Sequence, residues 1–244
     1  MASDATSFFD DAQLRAARWL AAWDAQGLHR TATAGDAAGA EWLAREAAAL
    51  GATVSIEEFA LDRVDPVNAF LEFGAKRIDA FPVFDAPATN AAGVTGRLGL
   101  AGGDAEIVIA ELSPRAVYSG EFDKLRRAGN HRGLVILCAG ESPGMGLLNA
   151  ESFRAPYGAP AIHVSSEARG TVLAAAVQGM PARLVAESRR TQARASNVVA
   201  TVPEDGGAGP PLVVMTPRSS WWQSTAERGG GLVAWLESLR ALLA

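Results

Sequence analysis

The chain has three histidines, His29, His131 and His163, and none has a second His or a Cys at metal-ligand spacing. A protein zinc site draws three or four ligands from His, Cys and carboxylates. Neither His-x-x-x-His nor Cys-x-x-Cys occurs here. His163 alternates with Ile162 and Val164, which reads as a structural strand position. His29 lies in Gly27-Leu28-His29-Arg30-Thr31, where it either caps the first helix or lines a site. A serine nucleophile would need a Gly-x-Ser-x-Gly elbow, and a nucleotide site a glycine-rich phosphate loop; neither is present. Glu57 and Glu58 are neighbours in a strand pattern, so their side chains face opposite ways and cannot share a proton. Arg189, Arg190 and Arg194 read as a solvated hairpin between two strands. Cys138, the single cysteine, sits in an apolar strand pattern and reads as a buried thiol.

One stretch concentrates side chains that could bind a ligand. Residues 216–231 carry Arg218, Trp221, Trp222, Gln223 and Glu227 ahead of three consecutive glycines. The run 212–216 before them reads as a buried strand, and 231–243 as a helix. In open α/β sheets, ligands bind beyond the carboxyl ends of strands, near helix N-termini. These five residues are therefore the candidate substrate-binding set, expected to line a concave surface. The alternative is that the tryptophans pack under the loop and the glycines let the helix approach closely.

The elements that would position them follow from periodicity. Residues 8–26 and 36–50 have helical apolar stripes, built on Trp19, Leu20 and Trp23 and on Trp42, Leu43 and Ala47. Ser7 and either Thr33 or Asp36 are their candidate caps. Residues 53–61 alternate as a strand. Short apolar runs at 69–73, 78–84, 107–112, 134–138, 161–164 and 182–185, separated by Gly and Pro, predict a mostly β module. Helices at 121–128 and 167–177 interrupt it. Residues 197–202 read as a further strand. The class is α/β.

The chain's 244 residues suffice for a large core, and its net charge of -5 argues against nucleic acid or an anionic membrane as partner. No apolar run approaches the roughly 20 residues that span a bilayer. The acidic N-terminus lacks the pattern of a secretory signal, so a cytoplasmic location is expected.

The order of these pieces resembles a known family. Residues 27–36, then Ala40-Glu41-Trp42-Leu43, Leu50-Gly51-Ala52 and Glu57-Glu58-Phe59, resemble the entry segment of the co-catalytic zinc aminopeptidases, peptidase family M-28. Residues 122–129, 134–138 and 157–165 resemble the protease-associated domain that some of these enzymes carry as an insert. Ala195-Ser196-Asn197-Val198-Val199-Ala200 looks like a later core strand of the family. The resemblance implies an aminopeptidase-type α/β core at 1–64 and 191–244, incomplete, with a β-rich protease-associated-like insert at 65–190. It implies zinc as cofactor and hydrolysis of peptide bonds at an N-terminus.

The departures concern the metal. Where the family has His-x-Asp, this chain has Pro217-Arg218-Ser219, and Glu227 is the only carboxylate at a family ligand position, with Arg228 beside it. The family's remaining ligands would fall beyond residue 244. The expectation is therefore no bound metal and no hydrolysis by this chain alone, and a peptide or peptide-like ligand as partner. The alternative is a non-catalytic peptide-binding or protein-interaction module built on the insert. A core lacking its remaining strands should leave an apolar edge uncovered, so self-association or pairing with a missing C-terminal half is expected.

Overall fold

The computed structural model describes residues 2–138, 144–202, 210–220 and 224–244, with side chains from residue 11 onward. The chain forms two compact units, residues 1–63 with 192–244, and residues 64–191. In order, the elements are α1 (Ala2–Asp24), α2 (Ala34–Ala49), β1 (Thr53–Phe73), β2 (Lys76–Pro82), β3 (Val94–Leu100), β4 (Ile107–Leu112), α3 (Ala116–Ser119), α4 (Glu121–Arg127), β5 (Gly133–Cys138), β6 (Ala161–Val164), α5 (Arg169–Val177), β7 (Pro181–Thr201) and α6 (Gly230–Leu242).

The first unit is held by helices. Trp19 and Trp23 of α1, Trp42, Leu43 and Ala47 of α2, and Leu232, Leu236 and Leu239 of α6 form one core. Within each set residues recur one helical turn apart, with Leu43 beside Trp42 widening the stripe of α2, so each helix turns one face inward. Val54 from β1 and Val198 and Ala200 from β7 pack against it. Arg15 grips Glu237 of α6 at 2.6 and 3.1 Å, and the Trp19 indole donates to Glu46 at 2.7 Å. Thr33 is the N-cap of α2, its hydroxyl accepting from the Asp36 N–H.

The second unit is built on a closed barrel with strand order β1-β2-β6-β5-β4-β3-β7. The pairs β3–β4, β4–β5 and β5–β6 are parallel, while β1–β2, β2–β6 and β3–β7 are antiparallel. β5 is buried along its whole length. Val135 and Leu137 enter one core with Ile107, Ile109, Ile162 and Leu184, and Leu134, Ile136 and Cys138 enter another with Val108, Phe122 and Leu148. A strand covered on both faces reads as a continuous apolar run, which is why these were visible in sequence.

The turn before β3 depends on a glycine. Gly93 has φ +70°, and a Cβ there would lie 2.3 Å from the Leu184 carbonyl oxygen and 2.7 Å from Val185 Cγ2. Both are fixed barrel atoms of β7. Gly93→Ala should destabilise the second unit by about 1–3 kcal/mol, from overpacking and left-handed strain together. An unchanged thermal midpoint would refute this.

Several expectations are corrected. The largest concerns 212–216, read as a buried strand. Leu212, Val213, Val214 and Met215 are instead 80, 71, 46 and 85% exposed, in extended chain that joins no sheet. A strand needs a neighbour to bond, and Pro210, Pro211 and Pro217 withhold N–H donors on both flanks. Among its contacts, the Trp235 indole donates to the Val214 carbonyl at 3.2 Å. The hairpin read at 189–194 is a stretch of the single long strand β7. There Arg190 donates to the Phe153 carbonyl and Arg194 pairs with Glu58. β1 runs well past residue 61, and β3 was not anticipated. α1 begins before Ser7, so Ser7 is not its cap.

Candidate functional site

The first unit gathers a buried polar cluster around the loop that enters the π-helical turn Thr225–Gly229 before α6. At its centre is Arg218, whose side chain is 9% exposed. Its Nη1 lies 2.7 Å from Asp36 Oδ1 and also donates to the Asp36 carbonyl, and its Nη2 donates to the Ser196 carbonyl at 2.8 Å. Asp36 is buried in the first turn of α2, and its Oδ2 accepts the Ala32 N–H at 2.7 Å. That bond holds Ala32 at φ 61°, a left-handed position unusual for a residue with a Cβ. Arg63 donates to the Ala32 carbonyl, so the turn is fastened on both sides.

His29 completes the cluster. Its ring stacks on Trp23 with centroids 3.3 Å apart and planes 9° from parallel. Burial, and then the positive charge of Arg218, lower its pKa to about 4, so it is a neutral imidazole. Its Nε2 is buried without a hydrogen bond. Through Nε2, therefore, the ring neither caps α1 nor activates a hydroxyl. Gly39 of α2 comes so close that a Cβ would stand 3.0 Å from Trp23 and 3.4 Å from both His29 and Arg218.

The neighbouring loop is tied down as well. The Ser220 N–H donates to the His29 carbonyl at 3.0 Å, Thr31 and Ser219 share a hydroxyl hydrogen bond at 2.7 Å, and Arg228 donates to the Ser219 carbonyl at 3.1 Å. Gly229 lies against Leu20 and Trp23, where a Cβ would approach to 2.9 and 3.1 Å.

Of the sequence candidates, Arg218 is inside this cluster with its guanidinium committed to three oxygens. Glu227 points outward at 70% exposure, paired with Arg228 at 2.9 Å and accepting from Ser224 at 3.2 Å. Trp221, Trp222 and Gln223 lie outside the described residues. Asp36 was read only as a possible cap. The signal for its second role, a long-range partner 182 positions away, is not local in sequence.

His131 and His163 belong to the second unit. His163 is buried in β6, where its Nε2 accepts the Leu148 N–H at 3.1 Å. Cys138 is a buried free thiol whose pKa burial raises, which makes it a poor nucleophile. Among the described residues no helix is long and apolar enough to cross a membrane.

No protein-family model matches the sequence, and no curated protein matches it. Solved structures do. A zinc aminopeptidase from Bacillus subtilis superimposes with a TM-score of 0.66 at 17% identity, over 96% of this chain and 58% of that one. An aminopeptidase from Aneurinibacillus sp. strain AM-1 gives 0.53 at 15% identity, over 93% of this chain and 59% of that one. A peptidase M28 precursor from Shewanella amazonensis SB2B gives 0.53 at 15% identity, over 78% and 54%. The chain thus has the aminopeptidase-type α/β fold and spans little more than half the length of these proteins.

The Bacillus subtilis neighbour is a zinc enzyme, and the described carboxylates of this chain do not fit a metal of that kind. Among the described residues no group of three or more His, Cys, Asp or Glu is placed to hold a metal ion. Asp36 already faces a guanidinium at 2.7 Å, and Glu227 faces another at 2.9 Å. A fixed cation beside a carboxylate opposes a second one.

Proposed function

We propose that this chain is an aminopeptidase-like protein that does not hydrolyse peptides by itself. Its fold is that of a metallo-aminopeptidase-type protein, whose reaction would be cleavage of peptide bonds at an N-terminus, and it spans little more than half the length of such proteins. The observation that carries this reading is the buried Arg218–Asp36 pair. It puts a permanent guanidinium in the loop at which the family resemblance expects metal ligands, ion-paired with Asp36 and donating to the Asp36 and Ser196 carbonyls. The likeness to zinc aminopeptidases supports the peptidase-type reading through the fold.

The purified chain, given excess zinc and leucine 4-nitroanilide, should release no nitroaniline above the enzyme-free rate. Elemental analysis after desalting should find no retained metal pair. Chelator-sensitive turnover together with stoichiometric zinc would overturn the proposal.

A second reading is that the barrel unit is a peptide-binding module of the protease-associated type. It is favoured by a cavity of about 480 Å³ beside Tyr157, a size suited to one or two residues of a peptide.

A further inference from the structure

That cavity has a chemistry of its own. Its wall is built on a side-chain scaffold that cannot shift easily. Arg126 of α4 is 1% exposed and pairs with Asp85 at 2.7 Å. It also donates to the carbonyls of Asp85 and Tyr157, which fastens two loops to the helix. Above it lies the Tyr157 ring, 3.7 Å from the Arg126 guanidinium and 4.6 Å from that of Arg127. The Tyr157 hydroxyl donates to Asp123 at 2.8 Å. Gly158 follows at φ +78°, with a Cβ position only 3.0 Å from the Arg126 carbonyl. The rim is therefore preorganised, and the missing side chain keeps it open.

The polar groups of the residues that line this space, where they lack a protein partner, are hydrogen-bond donors or can act as donors. Arg127 spends only its Nε on Asp123, at 2.9 and 2.8 Å, so both of its terminal nitrogens are unused. His131 Nε2 is buried with no hydrogen bond, and so is Arg126 Nε. The N–H groups of Gly158 and Ala159, which also line the cavity, bond to no protein acceptor. A guanidinium Nε–H can only donate, and a neutral imidazole can donate from Nε2. Two buried nitrogens at one cavity without partners among the described residues call for an acceptor. Asp85 and Asp123 already offset the charges of the two arginines. A monoanion is matched by the donors that remain, whereas a dianion would meet the two carboxylates behind them.

We propose that the cavity between Arg127, His131 and Tyr157 is a carboxylate-binding site, which takes a peptide through its C-terminal carboxylate or an acidic side chain. The two oxygens accept from the Arg127 terminal nitrogens and from His131 Nε2, while the adjoining peptide residue packs along Tyr157. This rests on the peptide-binding reading of the barrel unit and is independent of whether the aminopeptidase-like unit hydrolyses anything.

The test is titration of the full isotope-labelled chain, followed by NMR, with three probes. These are Ac-Ala-Ala-Leu with a free carboxylate, its carboxamide, and Ac-Ala-Glu-Leu carboxamide. Amide shifts should appear at residues 127–131 and 157–159 with at least one carboxylate probe. The neutral carboxamide should bind about tenfold more weakly or worse, as loss of a charge-assisted pair requires. Whether the tripeptide acid or the glutamyl amide binds tells a C-terminal from a side-chain carboxylate. Arg127→Met and His131→Gln should each weaken binding by a similar factor. Arg127 is an exposed helix residue, so its replacement leaves the fold intact, and Arg169→Met, whose guanidinium pairs with Glu111 at the far end of β4, should bind as the parent does. Equal binding of acid and carboxamide would overturn carboxylate recognition while leaving peptide binding in place. Absence of shifts with all three probes would overturn both.

Discussion

Replacing Arg126 by methionine should cost the barrel unit about 3–5 kcal/mol of stability, the range for removing one partner of a buried ion pair. The loss arises from what is left behind. Asp85 is 3% exposed on its side chain, and without the guanidinium 2.7 Å away it must stay charged in a dry site or take up a proton. The Tyr157 carbonyl loses its donor at the same time. Both tyrosines of the chain, Tyr118 and Tyr157, belong to this unit, whereas all six tryptophans fall in the other. Tyrosine ring signals followed by NMR in a urea titration therefore report the barrel alone. Asp85→Asn combined with Arg126→Met should recover part of the loss, because no unpaired charge then remains. A single-variant loss below about 1 kcal/mol, the scale of an exposed pair, would show that the interaction is not buried in solution.

Acid should destabilise both units from well above the usual carboxylate range. His163 has its pKa lowered to about 3, first by burial and then by the charge of Arg126. His29 is lowered to about 4 by burial and then by Arg218. Below the ordinary histidine value of roughly 6.5 the unfolded chain takes up a proton at each site that the native chain refuses. Stability is thus fully present above that value. It falls by about 1.4 kcal/mol per pH unit for each histidine until the folded pKa is reached. The structural reason is plain at His163, whose Nε2 must stay unprotonated to accept from Leu148. Tryptophan fluorescence should report the slope from His29 and tyrosine ring NMR signals the slope from His163, in urea titrations between neutral pH and mildly acidic pH. A urea midpoint that stays flat across that interval would refute the burial of both rings.

What the sequence disclosed depended on whether a residue's neighbours in space were also its neighbours in the chain. The helices α2 and α6 and the strands β4, β5 and β6 were legible because their apolar patterns are set by their own burial. β3 was missed because Thr95, Gly96 and Arg97 interrupt its apolar residues, and Gly96 and Gly99 are demanded by the close approach of Glu106 and Ala105 rather than by a turn. Leu212-Val213-Val214-Met215 failed in the opposite sense. Its composition matches a buried strand, but composition cannot say whether a neighbouring strand exists to receive it. Arg218 was picked out by its loop, yet its role is set by Asp36 and Ser196, whose approach is a property of the folded unit. Nothing local distinguishes a guanidinium that greets a ligand from one already satisfied.

The prolines around the exposed apolar segment carry a consequence for how the chain ages in concentrated solution. Fibril-forming stretches need six or seven consecutive residues able to bond above and below themselves. Here Pro211 and Pro217 leave five residues, 212–216, with Thr216 the polar one among them. Such a window is long enough to accept one strand alongside it and too short to template a stack. The two prolines therefore act as gatekeepers. They let Leu212–Met215 remain sticky toward a single matching strand while blocking the cross-β growth that an apolar run of this composition would otherwise invite.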